Sequence, residues 1–141
     1  MTDTVYERAL SDYELLYREM TPESISRFSE VFEPDALFQD PFNRVSGVEA
    51  IEKIFRHRYE VCEMPRFEVL SRARSGNVGW LHWIFECRVR RRDIRIDGAS
   101  MVTFSQQGKV VSHVDYWDAA SQLYEQLPVI GWLMRKLRRA F

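Results

Sequence analysis

A histidine and an aspartate stand two positions apart in an otherwise apolar stretch near the carboxyl end of the chain. His113 and Asp115 lie within residues 110–117, which are rich in β-branched and aromatic side chains and follow a turn at Gly108. Alternation along a strand puts both side chains on one face, together with Trp117. Burying an unpaired carboxylate is costly, so this face is either solvated or lines a pocket. In a pocket, the carboxylate and the imidazole would have the chemistry of a proton-transfer site.

Helices are predicted to precede this strand. Apolar side chains recur at helical spacing over residues 6–20, 22–32 and 48–62. Thr21 and Pro22 suit the start of the second helix, and Ser46 with Glu49 fits a capping box for the third. Residues 36–41 between them are predicted to be extended, because Pro41 disfavours helical angles in Asp40.

The middle of the chain changes to strand periodicity. Strands are predicted over residues 67–73, 78–90 and 99–104, before the strand that carries Asp115. One face of the second strand is almost wholly apolar and consists of Leu81, Trp83, Phe85, Cys87 and Val89. Its opposite face carries Trp80, His82, Ile84, Glu86 and Arg88. Helices followed by an antiparallel meander predict an α+β domain over residues 1–127, with a helical tail over residues 128–141.

Composition excludes several classes of function. The net charge is −1, and the arginines between 88 and 95 have no interleaved aromatic platform, so nucleic-acid binding is not expected. No phosphate loop or zinc-binding spacing is present, so no metal or cofactor is expected. Cys62 and Cys87 fall inside regular elements, which favours reduced thiols in a cytoplasmic protein. The N-terminus has no signal-peptide pattern, and no apolar run is long enough to cross a membrane.

The tail has two interpretations. Four basic residues follow residue 134, and no acid follows Glu125, so residues 128–141 form an amphipathic, cationic helix. The favoured interpretation is a helix laid over the domain with its basic residues in solvent, where they complement the helix dipole. The alternative is attachment to a membrane surface or to an acidic partner.

Two motifs carry a resemblance to a known family. The first is F-Q-D-P at residues 38–41, between the second and third predicted helices. The second is G-K-V-V-S-H-V-D-Y-W-D at residues 108–118, which closes the meander. In this arrangement residues 6–127 resemble the SnoaL-like branch of the nuclear transport factor 2-like superfamily. That branch includes polyketide cyclases, ketosteroid isomerase and limonene epoxide hydrolase. The resemblance implies a cone-shaped curved sheet around an apolar pocket, a small organic ligand and a homodimer that pairs through the sheet.

The resemblance also implies site residues. Asp40 matches the general-base aspartate in the similar E-D-P segment of ketosteroid isomerase. The second acid of that enzyme's oxyanion hole falls near Ser100, however, and its helix-1 tyrosine falls on Leu16, so steroid isomerisation is not supported. Asp115 matches the water-activating aspartate of limonene epoxide hydrolase. A gapless count puts His82 in place of that enzyme's arginine.

The same count puts Ile84 in place of the epoxide hydrolase's partner acid, and Phe38 in place of its tyrosine. Limonene-type hydrolysis is therefore not supported, but a related acid/base constellation is. We expect Asp115, Asp40 and His82 to be the catalytic residues of a cofactor-free isomerase, cyclase or hydrolase. The expected ligand contacts are Tyr13, Tyr17, Phe38, Trp80, Ile84, His113 and Trp117.

A structural interpretation of the same residues stays open. His82 would then be a core histidine, and Asp115 would hydrogen-bond Tyr13, Tyr17 or a tryptophan indole to tie the first helix to the sheet. The chain would in that case be a non-catalytic binding module or a dimeric scaffold.

Overall fold

Helices pack against one face of a six-stranded sheet. A computed structural model describes residues 2–123 and 128–140. The elements in chain order are α1 (Thr2–Arg18), α2 (Pro22–Ile25), α3 (Phe28–Val31), β1 (Phe32–Gln39), β2 (Arg44–Ser46), α4 (Val48–Val61), β3 (Glu63–Ser75), β4 (Val78–Val89), β5 (Arg92–Phe104), β6 (Val110–Tyr116), α5 (Ala119–Gln122) and α6 (Pro128–Arg138). The predicted α+β class is confirmed, with a sheet that does not close into a barrel.

The sheet combines the predicted meander with a parallel addition. Its strand order is β2-β1-β6-β5-β4-β3, and β3 to β6 run antiparallel in sequence order. β1 pairs with β6 in parallel and places Phe38 beside His113. The extended segment predicted around Asp40 is therefore a neighbour of the strand that carries Asp115.

Cross-strand pairing shows which side chains share the inner face of the sheet. Leu81 on β4 pairs with Ser100 on β5, and Ser100 pairs with Asp115 on β6. Paired residues point to the same side of a sheet. Leu81 is fully buried in the core between the sheet, α1 and α4. Ser100 and Asp115 consequently face the core side as well.

Two predicted helix boundaries differ from the structure. The predicted helix over residues 22–32 is two short helices, and β1 begins at Phe32. Pro34 disfavours helical angles in the preceding residue, and a strand accommodates it because the β1–β6 ladder is irregular between Phe32 and Leu37. The predicted capping box at Ser46 is wrong, because Ser46 ends β2 and Gly47, at φ 98°, precedes α4 without a side-chain cap.

Thr21 caps α2 as predicted, and Asp118 caps α5 through a 3.2 Å bond from the Ser121 amide. The predicted helix after Asp118 extends to residue 126, and its last three residues lie outside the described residues. So does the predicted domain boundary at 127/128. No helix within the described ranges is long and apolar enough to span a membrane.

Candidate active site

A cavity of ≈ 520 Å³ opens between α4 and the inner face of the sheet. Most of its lining is apolar or aromatic, and its polar side chains are few. The lining residues are Phe42, Ile54, Val61, Phe67, Trp83, Phe85, Val89, Ile94, Ile96, Trp117 and Leu123, with Asp40, Asn43, Lys53, His57, Arg58, Cys62, Cys87 and Asp115. Such a cavity suits a small organic molecule with an apolar body.

Asp115 presents one carboxylate oxygen to this cavity. Its Oδ1 accepts hydrogen bonds from Ser100 Oγ at 2.5 Å and from His113 Nε2 at 2.6 Å. No donor from the described part of the chain lies within hydrogen-bonding distance of Oδ2. No buried oxygen or nitrogen of the described side chains lacks a partner, so Oδ2 is not sealed in the core, and Asp115 is one of the residues that line the cavity. The carboxylate is therefore anchored through one oxygen and free to react through the other.

His113 connects Asp115 to α1. Its Nδ1 lies 2.7 Å from Tyr13 Oη, which in turn lies 3.2 Å from Tyr17 Oη. The ring is fully buried, and it stacks on Phe38 with centroids 4.9 Å apart. This packing fixes the orientation of the imidazole toward Asp115.

The pKa values of these groups assign the protons. Burial raises the pKa of Tyr13 well above its ordinary value, and burial likewise raises that of Tyr17, so both hydroxyls stay protonated. Burial alone would also raise the pKa of Asp115. The charge of His113 and the hydrogen bonds from His113 and Ser100 outweigh burial and lower this pKa below its ordinary value. Asp115 is thus a carboxylate at neutral pH. His113 joins the two groups, with Nε2 bonded to Asp115 Oδ1 and Nδ1 bonded to Tyr13 Oη.

Ser100 and Trp83 complete the support of the carboxylate. Trp83 Nε1 donates to Ser100 Oγ at 2.8 Å, and Ser100 donates to Asp115. Gly98 leaves room for the indole, since a Cβ there would lie 2.5 Å from Trp83 Cη2. The sequence reasoning did not select Ser100 or Trp83 as site residues. The available signal was a serine on an apolar strand face, at the place where the family resemblance puts an acid.

Arg58 is a third residue that the sequence reasoning missed. Its guanidinium lies over the Phe55 ring at 4.8 Å and near the rings of Phe67 and Phe85 at 5.7 and 5.5 Å. No carboxylate within the described ranges lies within 4 Å of it, and it lines the cavity. Its charge is the smallest of the influences that lower the pKa of Asp115. The cavity thus holds a half-buried cation whose N–H donors are open to a ligand.

Asp40 lines the same cavity as Asp115, but its carboxylate has a structural task. Oδ1 accepts from the backbone amides of Phe42 and Asn43 at 2.8 and 2.7 Å, and both oxygens lie near Asn43 Nδ2. These bonds hold the turn between β1 and β2. Trp117 also lines the cavity and packs edge-on against Phe42, with centroids 5.5 Å apart.

The predicted roles of His82, Trp80 and Ile84 in the cavity are wrong. His82 pairs with Ala99, whose partner is Tyr116, so its side chain points to the outer face of the sheet. There His82 Nε2 lies 2.7 Å from Asp97 Oδ1. Trp80 and Ile84 share this outer face by alternation, and none of the three lines the cavity.

Tyr13, Tyr17, Phe38 and His113, which were predicted to contact the ligand, are buried and do not line the cavity. They form the layer behind Asp115. The tie between α1 and the sheet that sequence reasoning left open therefore exists, with His113 interposed between Tyr13 and Asp115.

Two thiols lie in the cavity wall. A hydrogen bond with Cys87 lowers the pKa of Cys62 to about 7, with a further contribution from the charge of Arg58. The same pairing raises the pKa of Cys87. Within the described residues, no group of three or more histidine, cysteine, aspartate or glutamate side chains is arranged to hold a metal ion.

Comparisons with known proteins agree with this architecture. The sequence profile named "SnoaL-like domain" matches residues 13–113. No curated protein matches the chain. Among solved structures, an M. tuberculosis LEH-like epoxide hydrolase superposes with a TM-score of 0.68 at 12% identity, over 84% of this chain and 86% of that one.

Two further solved structures share the fold. The epoxide hydrolase/cyclase-like enzyme SalBIII, which has a role in pyran ring formation in the polyether salinomycin, superposes with a TM-score of 0.68 at 16% identity, over 84% of this chain and 95% of its own. A Catenulispora acidiphila protein with a ketosteroid isomerase-like fold, in complex with trimethylamine, superposes with a TM-score of 0.69 at 13% identity. The match covers 82% of this chain and 88% of that one. At these identities the likeness shows the fold alone.

Proposed function

We infer that this chain, which belongs to the SnoaL-like domain family, binds a small, mainly apolar organic molecule and transfers a proton through Asp115. One observation carries the proposal: an ionised carboxylate, held through Oδ1, turns an unoccupied Oδ2 toward an apolar cavity. A purely structural aspartate would be expected to use both oxygens.

The ionisation state favours the role of a base. The charge of His113 and the hydrogen bonds from His113 and Ser100 keep the pKa of Asp115 low, so its resting form is the carboxylate, which accepts a proton, and not the acid, which would donate one. Because a low pKa also makes a weaker base, removal of a proton from carbon requires strong stabilisation of the product anion. We propose that Oδ2 removes a proton from carbon next to a carbonyl group. The electron pair of the C–H bond then forms the enolate, and the proton stays on Asp115 until it is returned to another carbon of the same molecule or lost to water.

Arg58 supplies the complementary charge in this scheme. Enolate formation places negative charge on the former carbonyl oxygen, and a guanidinium with open N–H donors in an apolar cavity stabilises such charge strongly. Isomerases and cyclases that begin with carbon deprotonation need a base and a group that stabilises the enolate oxygen, and Arg58 can serve as that group. Epoxide hydrolysis of the limonene type is less well supported, because Asp115 has Ser100 and His113 as partners in place of a second carboxylate.

The test is deuterium exchange at carbon. We expect the protein in D₂O to catalyse exchange at the α-carbon of cyclic ketones that bind it, followed by proton NMR. Asp115→Asn should abolish the exchange and leave ketone binding intact. The matched control is Asp97→Asn, which removes a carboxylate from the outer face of the same sheet and should leave the exchange unchanged.

Two results would reject catalysis by Asp115. In the first, ketones bind but do not exchange in any variant, which assigns the chain to non-catalytic binding modules. In the second, exchange occurs but survives Asp115→Asn, which assigns the chemistry to another group.

We also propose that two copies pair through the outer face of the sheet. Trp80 and Tyr116 are 40% and 52% exposed there, which is unusual for large aromatic side chains without a partner. Trp80→Glu should convert a dimer to a monomer in sedimentation velocity. A wild-type monomer at micromolar concentration would contradict this proposal.

A further inference from the structure

The C-terminal helix α6 has its apolar and basic residues on different arcs. At 100° per residue, Val129, Ile130, Leu133 and Leu137 form one arc, and Trp132 lies outside it, between Arg139 and Lys136. The basic side chains of Arg135, Lys136, Arg138 and Arg139 fall on the remaining arc. The helix is therefore amphipathic, as its sequence predicts.

The apolar arc of α6 faces solvent. Val129 is 79% exposed, and Ile130, Leu133 and Leu137 are 47–49% exposed. Gly131 is the one buried residue among those of α6 whose exposure the structure describes. The basic residues are exposed, as the favoured interpretation of the tail expects, but the apolar arc that this interpretation lays over the domain is about half exposed or more.

The side of α6 that contains Gly131 lies nearest the domain, because Gly131 is buried there. Hydrogen bonds from Ser121 are the main cause of the lowered pKa of Asp118, and the positive charge of Arg138 adds to the effect. Arg138 is thus close to the cap of α5, on the side of the helix where Gly131 is buried. This orientation is the reverse of that in a helix packed on a soluble core, where the apolar arc points inward.

The charge of α6 selects among possible occupants of its apolar arc. No acidic residue lies between residues 128 and 141. A second copy of α6 would bring like charges together, whereas an anionic lipid surface complements them. Lys136 is the basic residue next to the apolar arc, where the headgroups of a bilayer would meet the helix, and its Nζ lies 5.2 Å from the centre of the Trp132 ring.

We propose that α6 lies in the surface of an anionic bilayer, with its apolar arc in the acyl boundary and its basic arc among the headgroups. Leu123, at the end of α5, lines the cavity, and α6 begins shortly after it. Docking would therefore hold the cavity near the membrane, within reach of apolar molecules that partition into lipid. This inference does not depend on the proposed reaction.

Vesicle co-sedimentation of the full chain tests the proposal. We expect binding to vesicles of equimolar phosphatidylcholine and phosphatidylglycerol at about 0.15 M salt, and little binding to pure phosphatidylcholine. Leu133→Glu should lower the affinity for the anionic vesicles by about tenfold or more, because it removes apolar contact and adds a negative charge. The matched control is Leu15→Glu, an equally exposed leucine on α1, which should bind as the wild type does.

Three outcomes would overturn the proposal. The first is no binding to the anionic vesicles. The second is equal loss of binding in both variants, which would indicate a general charge effect. The third is a wild-type oligomer that Leu133→Glu dissociates in the absence of vesicles, which would assign the apolar arc to a second copy of the chain.

Discussion

Replacement of Ser100 by alanine tests whether Asp115 is held as the structure indicates. Ser100 Oγ donates to Asp115 and accepts from Trp83 Nε1, and both Ser100 and Trp83 are buried. The substitution removes one oxygen atom and leaves the backbone of β5 free to keep its pairing. It should therefore break two hydrogen bonds without creating a clash.

The expected cost follows from the two groups that lose a partner. A hydrogen bond to a charged group contributes about 1.5–3 kcal/mol, and a buried donor left without an acceptor costs about 1–3 kcal/mol. These contributions overlap, so we expect Ser100→Ala to lower the free energy of unfolding by about 2–4 kcal/mol. The pKa of Asp115 should rise, because one of the bonds that favour its ionised form is lost.

Urea denaturation at neutral pH measures the stability change, and carbon-detected NMR titration of the aspartate carboxyl groups measures the pKa. The matched control is Ser112→Ala on the neighbouring strand, whose effect should stay within about 0.5 kcal/mol. A double-mutant cycle with Asp115→Asn isolates the Ser100–Asp115 interaction, for which we expect a coupling of about 1 kcal/mol or more. Equal effects of the two serine variants, or a coupling near zero, would refute this account of the site.

Two further predictions concern titration in the cavity. The folded-state pKa of Asp115 lies below its ordinary value, so its contribution to stability is complete above about pH 5 and is lost as the pH falls through the folded-state pKa. The free energy of unfolding, measured from pH 7 to pH 2, should therefore fall more steeply in the wild type than in Asp115→Asn. Parallel curves for the two proteins would contradict this. Cys62 should react with iodoacetamide with a half-maximal rate near pH 7, and Cys87→Ala should move that midpoint upward, because alanine cannot donate the hydrogen bond that lowers the pKa of Cys62. A midpoint that Cys87→Ala does not move would show that the two thiols are not coupled.

The error over His82 has a definite cause. The apolar face of β4 that contains Leu81 and Trp83 is visible in the sequence, and a pocket in the core must lie on that face. The gapless comparison with a distant family member placed His82 on the pocket side and overrode this alternation. Since a shift of one residue reverses every side chain of a strand, local periodicity was the better guide.

Other features were beyond prediction from the chain alone. Alternation in the sequence predicts the strand Val110–Tyr116 and the inward position of Asp115. The partners of Asp115 depend on the register between β5 and β6, which the sequence does not specify. Likewise, the pattern of α6 shows that one arc is apolar without showing that this arc points away from the domain. Both depend on long-range packing.

The network around Asp115 serves stability and chemistry through different atoms. Oδ1 joins β5 and β6 through Ser100 and, by way of His113 and Tyr13, ties the sheet to α1. Stability requires nothing of Oδ2, yet that oxygen is kept open in a cavity whose wall also carries Arg58. Because fixing a carboxylate through one oxygen orients the other, the same bonds that hold α1 to the sheet would preorganise a base. Two variants distinguish these roles. Asp115→Asn should lower stability, because it weakens the bonds to Oδ1, and should abolish proton transfer by Oδ2. Tyr13→Phe should lower mainly stability.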